Sequence, residues 1–222
     1  MSLFIGTSGW SERKGARLAS QVSVAEISSS FHRPLERKTV ERWLKLVQLT
    51  PEFQFTVQLG RQFTHERLMA GSAVAFFKEG LWPFVRERRM GALLMRFPEQ
   101  FHFTVKNEEH LVQLRRAFHE FRLVAEFQHE SWATSEARGV LIDRHIGVVG
   151  THLTSGTGYL RIPARHWDLD SVEGDIKKIT PLAEQTFVIF DDEISAGEMQ
   201  TRLNGLTIAP VQPSFSFDRA VA

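Results

Sequence analysis

The sequence predicts an α/β protein, and within that class a TIM-like (β/α)₈ barrel with reduced helices after strands 1 and 6. Eight short apolar runs alternate with helix-like segments, which is typical of a parallel sheet. Several runs are apolar at consecutive positions, as expected when both faces of a strand are covered. The predicted strands are Leu3–Thr7, Val22–Ser28, Phe53–Leu59, Gly91–Phe97, Leu123–Gln128, Gly147–His152, Tyr159–Ile162 and Thr186–Asp191.

The clearest helix is predicted over Leu35–Val47. Val40, Trp43, Leu44 and Val47 recur there at helical spacing and form one apolar stripe. Such stripes indicate outer helices that pack against a sheet. The other predicted helices are Asn107–Phe121 with Asn107 as its N-cap, Ala73–Arg89 interrupted near Pro83, Ser135–Arg144, Ser171–Ala183 and Ala196–Leu206.

Two connections between predicted strands are short. Residues 12–21 join strands 1 and 2, and residues 153–158 join strands 6 and 7. Six extended residues reach roughly 20 Å, which suffices to return along a short strand without a helix. We therefore predict one barrel domain over residues 1–208 and an irregular tail over residues 209–222.

Composition limits the classes of function. Apolar residues make up 42% of the chain, so a sizeable core is expected. With 27 basic and 26 acidic residues, the net charge of +1 argues against bulk nucleic acid or an anionic membrane as the main partner. The chain has no cysteine, which excludes disulfides, thiolate nucleophiles and Cys-ligated zinc. Without a signal peptide pattern or an apolar run of about 18 residues, we expect a cytoplasmic protein without a membrane span.

Two strands each carry one glutamate in an apolar context. VAEIS contains Glu26, and VAEFQ contains Glu126. A buried carboxylate needs a partner, a solvated pocket or a raised pKa. One hypothesis is a carboxylate pair for acid–base chemistry. The other is a structural ion network in which each glutamate pairs with Arg96 or Arg161.

Polar residues cluster at the predicted strand ends, where barrel enzymes place their functional groups. We predict catalytic roles for Glu26, Glu126 and His129. Trp10 and Trp132 are either stacking surfaces for a ligand or core residues. The full set of predicted ligand-binding residues is Ser8, Trp10, Ser28, Arg96, Gln128, Trp132, Arg161 and Asp191, and the expected ligand is a small polar or anionic molecule.

The cofactor and the oligomeric state stay undefined by the sequence. A divalent metal is one alternative, because His129, His152 and the acidic residues at the strand ends are suitable ligand types. No close ligand spacing such as HExxH occurs, so no metal-ligating residue is assigned. Thr64 is a candidate N-cap for a helix beginning at His65.

Several motifs appear in order along the chain: IGTSGWS (residues 5–11), AEISSSF (25–31), TPEFQFTV (50–57) and EFQHESW (126–132). In these motifs the chain resembles the domain-of-unknown-function 72 (DUF72, YecE-like) family. The resemblance implies a TIM-barrel-like fold and a cytoplasmic protein, but no established reaction. The chain departs from the family pattern at Ser28, Arg96, Gln128, Asp191 and Asp192.

Three functions follow as expectations. The first is an enzyme acting on a small polar or phosphate-bearing ligand in a polar pocket at the strand ends. The second is a non-catalytic relative that binds a ligand or a partner. The third is a metal-dependent barrel that processes nucleic acid or isomerises a substrate.

Overall fold

Eight parallel strands form a single sheet that curls into a nearly closed barrel in the computed structural model, which describes residues 1–164 and 168–204. The strands follow the order β6-β5-β4-β3-β2-β1-β8-β7. This confirms the predicted fold class. The strands are β1 (Ser2–Ser8), β2 (Val24–Ile27), β3 (Gln54–Gln58), β4 (Met90–Arg96), β5 (Leu123–Glu126), β6 (Gly147–Val148), β7 (Thr157–Ile162) and β8 (Gln185–Phe190).

The fifth strand ends at Glu126, two residues before its predicted end at Gln128. The sixth strand differs most from its prediction. It stops at Val148 instead of His152, because the chain turns away at Gly150, whose φ of 125° is a left-handed conformation that favours glycine. Between β6 and β7, the ladder is reduced to isolated bridges that involve Val149, Gly150 and Tyr159. The amide of Gly150 donates to the carbonyl oxygen of Tyr159 at 2.9 Å. The barrel is therefore weakest at this junction.

Helices cover the outside of the sheet. The connection after β1 is reduced as predicted, to an eight-residue helix, and the chain between β6 and β7 contains no helix. No helix within the described residues is long and apolar enough to cross a membrane. The helices are α1 (Glu12–Ala19), α2 (Arg37–Leu46), α3 (Arg61–Thr64), α4 (Gly71–Arg86), α5 (Val105–Ala117), α6 (Ser135–Asp143), α7 (Leu169–Ile179) and α8 (Glu193–Asn204).

Three local predictions about helices are wrong. The N-cap of α5 is Thr104, whose hydroxyl accepts from the amide of Asn107, so the helix begins earlier than predicted. Thr64 ends α3 and does not cap a helix beginning at His65. Pro83 lies inside an uninterrupted α4, where burial of the surrounding apolar face offsets the one hydrogen bond that proline removes. The predicted tail over residues 209–222 lies outside the described residues.

Side chains alternate along each strand between the barrel interior and the helical layer. The interior core consists of Phe4, Val24, Ala92, Leu94, Val124, Tyr159, Phe187 and Ile189. Since the period of a strand is two residues, the position two beyond a core residue also points inward. Glu26 follows Val24 in this way, and Glu126 follows Val124. Both glutamates therefore lie above the apolar core at the carboxyl ends of their strands.

Gly80 shows how closely the helices pack. A methyl group at this position of α4 would overlap the backbone carbonyl of Leu35, whereas one at Gly174 of α7 would meet nothing within 4 Å. We predict that Gly80→Ala lowers the free energy of unfolding by about 1–3 kcal/mol. Gly174→Ala should raise it by about 0.5–1 kcal/mol, because alanine loses less backbone entropy in a helix. Urea denaturation measures both, and equal shifts in the same direction would contradict the close approach.

Candidate functional site

A ring of polar side chains occupies the carboxyl ends of the strands, directly above the apolar interior. Each member stands at or next to the last inward position of its strand, so one alternation pattern brings residues from across the sequence together. We call this ring the mouth network and define it as Ser8, Glu26, Gln58, Arg96, Glu126, Tyr159, Arg161 and Asp191.

Glu26 is the deepest charged group of the mouth network, with no exposed surface. Its Oε1 accepts from Gln58 Nε2 at 2.7 Å and from Ser8 Oγ at 3.4 Å. Its Oε2 accepts from the Tyr159 hydroxyl at 2.7 Å. Since that hydroxyl donates to Glu26, the Thr56 hydroxyl at 2.9 Å donates to Tyr159. The buried carboxylate thus has the donors that compensate its desolvation.

Burial raises the pKa of Tyr159 well above its ordinary value, and the negative charge of Glu26 raises it further. The phenol therefore keeps its proton and acts as a donor. Donation to the carboxylate explains why a tyrosine, and not an apolar residue, occupies the centre of the barrel.

Arg161 joins the carboxylates of three other strands. Its Nη1 donates to both carboxylate oxygens of Glu126, at 3.1 and 3.0 Å. Its Nη2 lies 3.5 Å from Glu26 Oε1 and 3.7 Å from Asp191 Oδ1. Burial by itself would lower the pKa of Arg161, but the charges of Glu26 and Glu126 outweigh it and raise the pKa above the ordinary value.

Arg96 is the more accessible cation of the mouth network. Its Nε lies 2.6 Å from Glu126 Oε2, an ionic contact in which the N–H does not point along a hydrogen bond. The side chain of Arg96 is 36% exposed, against 15% for Arg161. Within the described part of the chain, the Nη groups of Arg96 form no hydrogen bond. Arg96 thus contacts the carboxylate of Glu126 through Nε, and its Nη donors are not used by hydrogen bonds among the described residues.

His65, after α3, lies near the same edge of the mouth. Burial lowers its pKa, and the positive charges of Arg61 and Arg96 lower it further. Its Nδ1 lies 2.9 Å from the Thr64 hydroxyl, and its ring packs edge-on against Phe31 at 5.2 Å. The electrostatic potential at the mouth is therefore more positive beside β3 and β4 than around Arg161, which is surrounded by three carboxylates.

A second concave feature opens beside the ends of β5 and β6. This β5–β6 cleft has a volume of about 410 Å³ and is lined by Glu126, Phe127, Gln128, His129, Glu130, Trp132, Ala133, Arg138, Val148, Val149 and His152. Its floor includes Trp132, which is 3% exposed, stacks on Phe127 at 4.1 Å and donates its indole N–H to the carbonyl oxygen of Phe101. The predicted site residues His129, Gln128 and Trp132 therefore line the cleft and not the mouth network.

His129 is fixed on one side of its ring. Its Nδ1 accepts from the amide of Ser131 at 3.1 Å and lies 2.9 Å from the Ser131 hydroxyl. The two imidazole rings of His129 and His102 stack at 3.8 Å. With Nδ1 acting as an acceptor, a neutral His129 carries its proton on Nε2.

Two predicted site residues belong to neither the mouth network nor the lining of the cleft. Trp10 packs against Trp43, Phe53 and Phe55 between the sheet and the helices, with its ring 5.0 Å from that of Phe55. Ser28 precedes a short 3₁₀ turn, and its side chain forms no hydrogen bond with the mouth network among the described residues. Core packing, one of the two sequence interpretations of Trp10, describes its surroundings.

No group of three or more His, Asp and Glu side chains in the described residues is arranged to hold a metal ion. Of the two acidic residues after β8, Asp191 reaches Arg161, while Asp192 accepts from the amide of Ser195 at 2.8 Å at the start of α8. The metal alternative stays a prediction.

Sequence reasoning did not assign Gln58, Tyr159 or Thr56 to the site. The signal that identifies them is the two-residue alternation of inward positions. Tyr159 precedes Arg161 by two, and Thr56 precedes Gln58 by two. In the sequence, these neutral residues resemble ordinary core residues of apolar strands. Their role becomes visible only when the fold places Gln58 and Tyr159 beside the buried carboxylate of Glu26.

Eight parallel strands with a charged ring at their carboxyl ends define a TIM-like barrel protein. The chain belongs to the family described as "Protein of unknown function DUF72", whose model matches residues 4–190. This confirms the resemblance drawn from the sequence motifs.

Individual relatives agree with this family. The chain is 25% identical over 153 residues to the UPF0759 protein YunF of Bacillus subtilis. This alignment covers 59% of the chain and 52% of YunF. It thus spans about half the length of that curated relative. A DUF72 family crystal structure from Enterococcus faecalis superposes with a TM-score of 0.82 at 15% identity, covering 93% of this chain and 98% of that one. Another from Thermotoga maritima gives 0.76 at 20% identity, covering 92% and 100%.

The two glutamates should differ in their contribution to stability. We predict that Glu26→Gln lowers the free energy of unfolding by about 3–5 kcal/mol, because an amide replaces a fully buried acceptor that faces several donors. Glu126→Gln should cost about 1 kcal/mol, because the side chain is 23% exposed and Arg161 keeps its other carboxylates. Urea denaturation of both variants tests this. Equal losses would show that Glu26 is not the anchor of the network.

Tyr159 is the only tyrosine of the chain, so its ionisation can be followed by tyrosinate absorbance alone. We predict no ionisation near the ordinary pKa of about 10 while the protein is folded. Because only the unfolded state loses the proton there, stability should fall as pH rises above about 10. The control is the urea-unfolded protein, which should titrate near pH 10. Tyrosinate absorbance at that pH with an unchanged circular dichroism spectrum would disprove the burial of the phenol.

Proposed function

We propose that this protein binds a small polar ligand with an anionic group at the mouth network. The observation that carries the proposal is the contrast between its two arginines. Arg161 is almost buried and is shared by three carboxylates, whereas Arg96 is 36% exposed and pairs with one carboxylate, that of Glu126. Arg96 supplies the donors that reach the ligand, and Arg161 supplies fixed positive charge beneath it.

Glu126 is the counterion that the ligand displaces. It contacts both arginines yet remains 23% exposed, unlike Glu26. Exchanging one carboxylate for another on a guanidinium group conserves most of the electrostatic energy. The ligand therefore gains affinity mainly from the Nη donors of Arg96, which form no hydrogen bond with the described residues.

In this proposal, Glu26 is a structural residue. It is completely buried, and its two oxygens already accept from three neutral donors. A substrate reaches it only if that arrangement breaks. Its role is to hold Arg161 in place, which is the ion-network interpretation of the two glutamates.

A second candidate function is acid–base catalysis by Glu126 and His129. The observation that favours it is that Glu126 belongs to the mouth network and also lines the β5–β6 cleft beside His129. A ligand anchored at Arg96 would then bring a reacting atom toward Glu126. In that case, Glu126→Gln would abolish turnover and leave ligand affinity largely intact.

Calorimetry with malonate, a compact dicarboxylate, tests the binding proposal. We predict that malonate binds more tightly than the neutral, similarly shaped malonamide. Arg96→Gln should weaken malonate binding about tenfold or more through the loss of charge-assisted hydrogen bonds. Arg86→Gln, at the end of α4 and on the opposite face of the barrel, is the matched control and should have no effect. Equal binding of malonate and malonamide, or an unaffected Arg96→Gln variant, would contradict the proposal.

A further inference from the structure

Arg138 is a cation that the fold of the described chain leaves without a counterion. It lies half-buried on α6 and lines the β5–β6 cleft. Within the described residues, no carboxylate lies within ion-pair distance of its guanidinium group. By contrast, Arg144 on the same side of the barrel pairs with Glu108, and Arg161 pairs with three acids. Glu130 also lines the cleft, but it forms no ion pair with Arg138.

The cleft has the construction of a small-molecule site. Its volume of about 410 Å³ lies within the ordinary range for such sites, about 300–1,000 Å³. Phe127, Val148 and Val149 are partly exposed and give it apolar walls over the buried Trp132. Apolar walls with a few convergent polar groups favour a ligand with an apolar body and one charged end.

The two histidines of the cleft are compatible with an anion, whereas Glu130 is an exposed carboxylate that also lines it. His129 and His152 both line it, and Nδ1 of His129 is occupied by Ser131. A neutral His129 is therefore an Nε2–H donor. Glu126, the acid that the cleft shares with the mouth network, is already held by Arg96 and Arg161. Arg138 is the arginine that lines the cleft, and it forms no ion pair with the described residues.

We infer that the β5–β6 cleft is a binding site for an organic anion that has a flat apolar body and a phosphate, phosphonate or carboxylate group. Arg138 binds the anionic group, and Phe127 and Val148 contact the body. The site goes beyond the proposed function, because it uses a different arginine on a different element and does not require Arg96.

Calorimetry with three probes tests this site in the intact chain. Phenylphosphonate carries a ring and an anion, methylphosphonate carries the anion alone, and benzyl alcohol carries the ring alone. Phenylphosphonate should bind most tightly of the three. Arg138→Gln should weaken both phosphonates about tenfold, because a charge-assisted pair is lost. Val148→Thr keeps the side-chain shape and should weaken phenylphosphonate about threefold while sparing methylphosphonate.

The controls separate this site from the mouth network. Arg116→Gln removes an exposed arginine of α5 and should change nothing. Arg96→Gln should weaken malonate and spare phenylphosphonate, so either site can fail without the other. Unchanged phenylphosphonate affinity in Arg138→Gln would overturn the inference. So would equal affinities for phenylphosphonate and methylphosphonate, since the ring would then make no contact.

Discussion

The shared guanidinium group of Arg161 is the interaction on which the upper half of the barrel depends. It connects β7 to Glu126 at the end of β5, to Glu26 in β2 and to Asp191 after β8. The bond to Glu126 passes over β6, which has two residues and ends before the mouth. The ion pair between Glu126 and Arg161 therefore links β5 to β7 at a level where β6 provides no backbone hydrogen bonds.

This arrangement explains why two strands carry a glutamate among apolar residues. A buried ion pair contributes little net stability when compared with well-packed apolar residues, but it is costly to break. The main effect of the network is therefore to fix which inward positions face one another, and its contribution to the net stability of the fold is smaller. Tyr159, Gln58 and Ser8 complete it by satisfying the oxygens of Glu26 that Arg161 does not reach closely.

Two members of the network are positions where the sequence departs from the pattern of the family that it resembles. Arg96 stands where a glutamine is expected, and Asp191 stands where an asparagine is expected. One change adds a positive charge and the other adds a negative charge, so the net charge at the mouth is conserved. The other three departures, Ser28, Gln128 and Asp192, lie outside the network. Relative to the family pattern, the positions of the charges at the mouth differ, but these two changes leave their sum the same.

The sequence was sufficient to predict the eight strands, apart from the ends of β5 and β6, because strands depend on local alternation. It also placed Glu26 and Glu126 within strands and named Arg96 and Arg161 as candidate partners. It left open which arginine holds which glutamate. That choice depends on how far each strand is offset from its neighbours around the barrel, which is set by long-range packing. The cap of α5 was misassigned for a related reason, since Thr104 and Asn107 are both capable caps and only the path of the chain selects one. Trp10 faces the helices, and no local pattern in the glycine-rich segment around it determines that direction.

The interrupted ladder between β6 and β7 also has a mechanical consequence. A barrel whose strands are all joined by backbone hydrogen bonds resists a change in its circumference. A barrel with an interrupted ladder can separate at that interruption, here between β6 and β7, while the other strand pairs stay joined. In this barrel the clasp across the gap is the pair between Glu126 and Arg161, and Glu126 is also the group that an anion would displace. Under the proposed function, an anion that displaces Glu126 from Arg161 would break this pair, which would couple ligand binding to the width of the barrel.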